Sequence, residues 1–171
     1  MAGGYKQFGP TYNATKYVRA AHEGMINGNH DINVEEAEGV DGELAGRIAA
    51  ITANGVGLAN NGKGAVGLFV EDLGDMVNAS YKASFYFRGG EYYVAKERTA
   101  VDTEVVPGDE LTTNESGQLV VLDEQEDAKA VGVVTSVGKY PMGNMYEHVG
   151  EEGRDALGLL NGDFVGFILY V

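Results

Sequence analysis

Between Pro107 and Gly138 the chain cycles through turn, β-prone run and turn, leaving no room for a helix of ordinary length. Pro107-Gly108-Asp109 is a turn, because proline pre-sets φ and glycine accepts the left-handed conformation next to it. Leu111-Thr112-Thr113 is β-prone, and Asn114-Glu115-Ser116-Gly117 reads as a tight turn into Gln118 to Leu122. A polar, acidic loop from Asp123 to Asp127 leads to Ala130 to Val137, rich in the β-branched residues that fit a pleated surface. Three short strands in such quick succession have the spacing of a small antiparallel barrel or sandwich.

The same grammar occurs earlier. Ile51-Thr52-Ala53-Asn54-Gly55 followed by Ala65-Val66-Gly67-Leu68-Phe69 parallels Leu111-Thr112-Thr113-Asn114 followed by Ala130-Val131-Gly132-Val133-Val134. A duplicated hairpin unit would explain it, as would chance recurrence of glycine turns and valine strands. Glycine supplies 26 of 171 residues, about twice its ordinary share, which favours many turns over a helical bundle. Two further hairpins are expected. Over 81–96, Tyr81, Ala83, Phe85 and Phe87 alternate with Lys82, Ser84 and Tyr86 before a Gly89-Gly90 turn and the return Tyr92 to Ala95. Over 157–171, Leu157 to Leu160 turns through Asn161-Gly162-Asp163 into Phe164 to Val171, a strand so apolar that it must be central or covered. Ile32 to Glu38 and Gly46 to Ala53 read as strands, and Ala14 to Glu23 as a short helix capped by Asn13. The sequence therefore predicts an all-β fold, a small antiparallel β-barrel or sandwich built of hairpins. It spans residues 30–171 as one domain, behind an extended N-terminal arm of residues 1–29 that carries the short helix.

Several functions are disfavoured by composition. The net charge is −14, and it is uneven: residues 1–22 hold Lys6, Lys16 and Arg19 with no acid, and the rest of the chain carries −17. Such a body repels phosphates, so nucleic acid is not the expected partner. There is no cysteine, hence no disulfide, thiolate nucleophile or Cys-ligated zinc. No apolar run reaches the length of a membrane span or of a signal-peptide core, which points to synthesis in a cytoplasm and no membrane partner. Gly62-Lys63-Gly64-Ala65-Val66-Gly67 satisfies G-x-G-x-x-G but lacks the strand-before, helix-after context of a dinucleotide site. Asn27, Asn29, Asp31 and Glu38 imitate a calcium loop whose required glycine is Ile32. His22, His30 and His148 have no metal-ligand spacing, and no G-x-S-x-G elbow occurs. No catalytic residue, metal ligand or cofactor is assigned, and a non-enzymatic protein is expected.

Interaction is the remaining theme. Tyr5, Phe8, Tyr12 and Tyr17 interleave with Lys6, Lys16 and Arg19, and aromatic anchors with basic neighbours dominate interfaces once buried. The arm has three destinations: its own acidic body, a neighbouring copy, or an acidic patch on a larger assembly. A partner is favoured, because residues 1–13 lack the periodicity of a packed element. Phe85, Phe87, Tyr92, Phe167 and Tyr170 are the candidate subunit interface, being more aromatic surface than a small monomer exposes.

The run Val105-Val106-Pro107-Gly108-Asp109-Glu110-Leu111, then Gly117 to Leu122, an acidic loop and Ala130 to Val134, resembles the small β-rich capsid decoration (cement) proteins of tailed bacteriophages. The likeness covers residues 100–138 and, less closely, the strand Gly162 to Val171. It implies a non-enzymatic virion protein, made in the host cytoplasm, that binds the outside of an assembled capsid. The major capsid protein is then the partner, and a homo-oligomer, most simply a trimer, the bound form. The competing expectation is a tail, baseplate or head-fibre module that holds host glycans on the aromatic hairpin. A glycan site would leave Tyr86, Tyr92 or Tyr93 facing outward, whereas a cement protein would bury them or place them between subunits.

Overall fold

Apolar residues on both sides of one strand need cover on both sides, and this requirement organises the architecture. In the computed structural model, which describes residues 16–21, 26–73, 82–87, 89–124, 127–140, 152–153, 158 and 160–171, the chain is all-β. The strands are β1 (Val18–Ala20), β2 (Ile26–Asp31), β3 (Ile48–Thr52), β4 (Gly55–Leu58), β5 (Ala65–Phe69), β6 (Lys82–Tyr86), β7 (Gly90–Ala95), β8 (Glu110–Thr113), β9 (Leu119–Val121), β10 (Gly132–Tyr140) and β11 (Gly162–Leu169), with one short helix, α1 (Val34–Gly39). A six-stranded sheet runs β1-β7-β11-β10-β8-β9 and a five-stranded sheet β2-β6-β5-β3-β4. Their strand pairs are antiparallel. The five-stranded sheet curls towards closure: Ile32, just past β2, bridges Val56 of β4, and the Asn33 amide donates to the Val56 carbonyl at 2.7 Å.

The expected strands between 107 and 138 form. Leu111, Thr112 and Thr113 of β8 pair with Val121, Val120 and Leu119 of β9, and β10 returns to the other side of β8. The earlier copy of the grammar folds in the same order, with β3 paired to β4 on one side and to β5 on the other. The two units interlock. Buried Thr113 accepts at its Oγ1 from the Gly62 amide (2.9 Å) and donates to the Ala59 carbonyl (2.5 Å). The Lys129 amide donates to the Asn61 carbonyl (2.9 Å) and the Ile48 amide to that of Gly117 (2.8 Å). Gly62 has φ +69°, and a Cβ there would sit 2.0 Å from the Lys129 carbonyl oxygen, so only glycine fits.

Four expectations are corrected. Residues 81–96 are not a hairpin: β6 belongs to the five-stranded sheet and β7 to the six-stranded one. Phe85 and Tyr86 point to opposite sides of β6 and both are buried, which a single half-solvated sheet does not allow. The chain instead steps between sheets, and Tyr86 packs on Tyr92 across them with ring centroids 4.8 Å apart. Nor does β11 take 157–160 as a hairpin partner, since both of its sides are occupied; Leu157 and Leu159 of that expected hairpin lie outside the described residues. Leu160 is buried outside any strand, and β11 pairs with β10 and β7 at the centre of its sheet, which is how so apolar a strand is covered. Ile32 to Glu38 is a bridge residue and then α1, whose first turn carries Glu35 and Glu36 where the helix dipole favours acids. Within 14–23, residues 18–20 are strand, because Val18 and Ala20 bury against the core while β7 supplies backbone partners. β1 and β2, in the stretch expected as an arm, pair with β7 and β6.

Three apolar clusters result. The first fills the space between the sheets: Ile48, Ala50, Leu68 and Tyr86 from one meet Val18, Tyr92, Val94, Leu111, Leu119, Val134, Val165, Phe167 and Leu169 from the other. The second lies on the far face of the five-stranded sheet, where Ile32, Ala37 and Leu44 cover Ala49, Val56, Phe69, Ala83 and Phe85. The third is small: Ala95, Leu160 and Phe164, with Tyr17 and Tyr93, at one end of the outer face of the six-stranded sheet.

Candidate partner-binding surface

Of the expected arm contacts, Tyr5, Lys6, Phe8 and Tyr12 lie outside the described residues. Lys16, Tyr17 and Arg19 belong to the β1 edge, which docks on the chain's own body. The Ala95 amide donates to the Tyr17 carbonyl (2.7 Å) and the Ala21 amide to that of Glu91 (2.9 Å). Tyr17 is half-buried beneath the Arg98 guanidinium, whose carbon lies 3.7 Å from the ring centroid; exposed Lys16 places its Nζ 5.5 Å from the same ring. Arg98 is fixed in turn by a two-pronged ion pair with Asp72 (2.9 and 2.7 Å), and Asp72 Oδ1 also accepts from the Ala45 amide. Residues 16–21 therefore take the first of the three destinations, their own body. The clamp went unread because Asp72 and Arg98 are distant in sequence and sit in no recognisable spacing.

A second arginine, Arg47, donates from Nε to the Glu43 carbonyl (2.6 Å) and from a terminal nitrogen to the Ser116 carbonyl (2.8 Å). The two arginines shift in opposite directions. Desolvation, with Arg98 nearby, lowers the Arg47 pKa. For Arg98 desolvation also acts downward, but its hydrogen bonds to Asp72 and Tyr17 outweigh it and the pKa rises. Both remain charged at neutral pH, so the cluster is a structural tie between the sheets rather than a titrating group.

The expected subunit interface is largely interior. Phe85, Tyr92 and Phe167 are 2%, 1% and 0% exposed and belong to the core of a single chain, which corrects their assignment to a surface. Their alternation marks a buried face, and the neighbouring sheet or α1 covers it. Phe87 is half-buried against the second cluster. Tyr170 alone of the five is exposed, at 50%, with its hydroxyl 3.5 Å from Glu110. Tyr86 and Tyr92 are interior too, and burial pushes both phenol pKa values up.

An outward patch does exist, on residues the periodicity did not single out. Across the outer face of the six-stranded sheet, register aligns Glu110 with Val133, Val133 with Ile168, and Ile168 with Glu91. Two apolar side chains thus stand between two carboxylates, with Tyr170 beside them. Ile168 is 42% exposed and Val133 half-buried. Thr135 Oγ1 donates to Glu91 Oε1 at 2.8 Å, steadying one end of the row. The signal was present in the alternation of β11, where Val165, Phe167 and Leu169 share one face and Ile168 and Tyr170 the other.

A cleft of about 490 Å³ opens where Lys96 and Glu97 approach Asn161 and Asp163 over Ala95 and Val101. No histidine lines it among the described residues. Nor do three or more His, Cys, Asp or Glu side chains gather as a metal site among the described residues. No helix of the described residues is long and apolar enough to cross a membrane. The chain matches no protein-family model, and no curated protein sequence matches it.

Proposed function

We propose that this chain is a structural protein of a tailed-phage virion that binds the outside of the assembled capsid and stabilises it, with the major capsid protein as partner and a homo-oligomer, most simply a trimer, as the bound form. The observation that carries the reading is the decoration-protein-like run from Val105 to Val134, which folds as one continuous unit, β8-β9-β10, interlocked with its earlier counterpart. The row Glu110-Val133-Ile168-Glu91 offers a face of apolar centre and acidic rim, the anatomy of a partner contact. Of the three tyrosines a glycan site would use, Tyr86 and Tyr92 are buried, which weighs against that alternative, while Tyr93 is half-buried on the outer face with its ring edge-on to Phe164.

The mechanism is mass action. A protein that binds only the assembled shell adds its association free energy to that state and so opposes rupture. Repetition over a shell lets modest single contacts act together. Mixing the protein with undecorated shells of its source phage and imaging them by electron microscopy tests the reading. Ordered extra density at symmetry-related positions is expected. Bare shells at saturating protein would overturn it.

A further inference from the structure

The sequence carries four Asn-Gly pairs, at 27–28, 54–55, 61–62 and 161–162. This dipeptide has its own chemistry. The backbone nitrogen of the glycine attacks the asparagine side-chain carbon, and the side-chain amide leaves as ammonia. Water then opens the resulting five-membered imide at either carbonyl, giving an aspartate or an isoaspartate. Ammonia leaves and water enters, with no oxidant or cofactor. Glycine is the fastest successor because no Cβ hinders the attack, so the pairs differ only in whether the fold lets the two groups meet.

We infer that Asn54 is a built-in site of spontaneous deamidation, and that the fold shuts the same reaction down at Asn61. Asn54 sits in the exposed two-residue turn between β3 and β4, where Thr52 pairs with Gly55. Its backbone amide donates to Thr52 Oγ1 at 3.2 Å, while its carboxamide forms no hydrogen bond among the described residues. Asn61 is buried more deeply and held by more partners. The nitrogen that would attack, that of Gly62, donates to buried Thr113 Oγ1. The Asn61 amide donates to the Thr113 carbonyl and its carbonyl accepts from Lys129, so the backbone cannot rotate into the attacking geometry. The 2.0 Å separation between a Cβ on Gly62 and the Lys129 carbonyl oxygen leaves no slack for movement. Asn161 is intermediate, half-buried and already engaged in bonding.

The products matter at this position. Aspartate adds a negative charge to a chain already at −14, and isoaspartate inserts a main-chain carbon into the turn that closes β3 on β4. Thr52, whose Oγ1 both receives the Asn54 amide and donates to the Gly55 carbonyl at 2.7 Å, would lose its partner geometry.

Ageing the intact protein in mildly alkaline buffer and following each Asn-Gly peptide by mass spectrometry, with enzymatic isoaspartate methylation as a second readout, tests the inference. Asn54 is expected to convert roughly tenfold or more faster than Asn61, the difference in local opening between an exposed turn and a buried lock. In denaturant the pairs should converge. Asn54→Gln should remove the fast phase and leave the circular dichroism spectrum unchanged; replacing Gly55 is a poor control, since a Cβ there would lie 2.7 Å from the Asp31 carbonyl oxygen. Equal rates at Asn54 and Asn61 in the folded protein, or an intact Asn54 while the denatured chain deamidates, would overturn it.

Discussion

The two sheets use similar aromatic strands to opposite ends. In the five-stranded sheet β6 is covered on both sides: Tyr86 faces the other sheet, and Phe85 faces the shell of Ile32, Ala37 and Leu44. In the six-stranded sheet β11 is covered along one side and, on the other, only at its Phe164 end: Phe167 is fully buried, and its neighbour Ile168 is 42% exposed. The difference lies in the segments packed outside each sheet. Helix α1 and the turn after it fold over the five-stranded sheet, whereas the outer face of the other carries only the small cluster of Ala95, Leu160 and Phe164 among the described residues. One sheet is a finished interior; the other presents a face. A partner surface is expected on the second.

The largest test of that contrast is a pair of truncations one residue apart. Phe167→Ala empties a site at the centre of the first cluster and should cost about 3–5 kcal/mol. Ile168→Ala, on the open side, should cost less than about 1 kcal/mol. Denaturant midpoints of the two variants check this, and similar losses would mean that the outer face is covered after all.

Next in size is the clamp that ties β1 to both sheets. Asp72→Ala leaves Arg98, 7% exposed, without its carboxylate, and a loss of about 2–3 kcal/mol is expected, below that of a fully buried pair because the Asp72 side chain is 30% exposed. Adding Arg98→Met should recover part of it, since an apolar side chain needs no partner. The double-mutant cycle gives the coupling directly.

A smaller effect separates the interior from the open face by pH. Tyr86 and Tyr92 have folded-state pKa values raised above the unfolded value of about 10, chiefly by burial. The folded state therefore holds the phenol protons more tightly than the unfolded chain. The stability this contributes is whole below pH about 10 and is lost as pH climbs from there towards the folded values. Unfolding midpoints should fall as pH rises above about 10, and Tyr86→Phe should flatten the fall. An unchanged slope in that variant would place the alkaline sensitivity elsewhere.

Much of this architecture was legible in the sequence, and the misses share a cause. Strand identity came from local pattern: the β-branched runs at 111–113 and 130–137 and the turn residues between them are properties of a few adjacent residues. Strand partnership did not. Lys82 to Ala95 has the alternation and glycine turn of a hairpin, yet Phe85 and Tyr86 together demand cover on two sides, and that demand moves β7 into the other sheet. The same blindness placed Tyr92 and Phe167 on a surface, because alternation says which residues share a face and not whether another layer covers it. The Arg98-Asp72 pair was invisible for want of any local signature. Glu91, Glu110, Val133 and Ile168 come from four strands, and only the register puts them in a row.

That row gives the last and smallest effect on folding, with the greatest consequence for the proposed role. Ile168→Asp puts a third carboxylate between Glu91 and Glu110 on a face already half in water. Stability should change by less than about 1 kcal/mol, since an exposed substitution removes little packing and the repulsion is screened at physiological salt. A contact made through that face would respond far more, because a charge buried at an interface without a partner is costly to desolvate. Sedimentation should then show weaker self-association, or shell binding should fall, while the denaturation midpoint stays near that of the parent. Lys at the same position distinguishes the two sources of loss: a cation between two carboxylates relieves repulsion within the row, so if Ile168→Lys binds like the parent, charge balance governs the contact. If both variants lose binding equally, the apolar centre carries it. Should both bind and associate as well as the parent, the outer face of the six-stranded sheet is not where partners meet this chain.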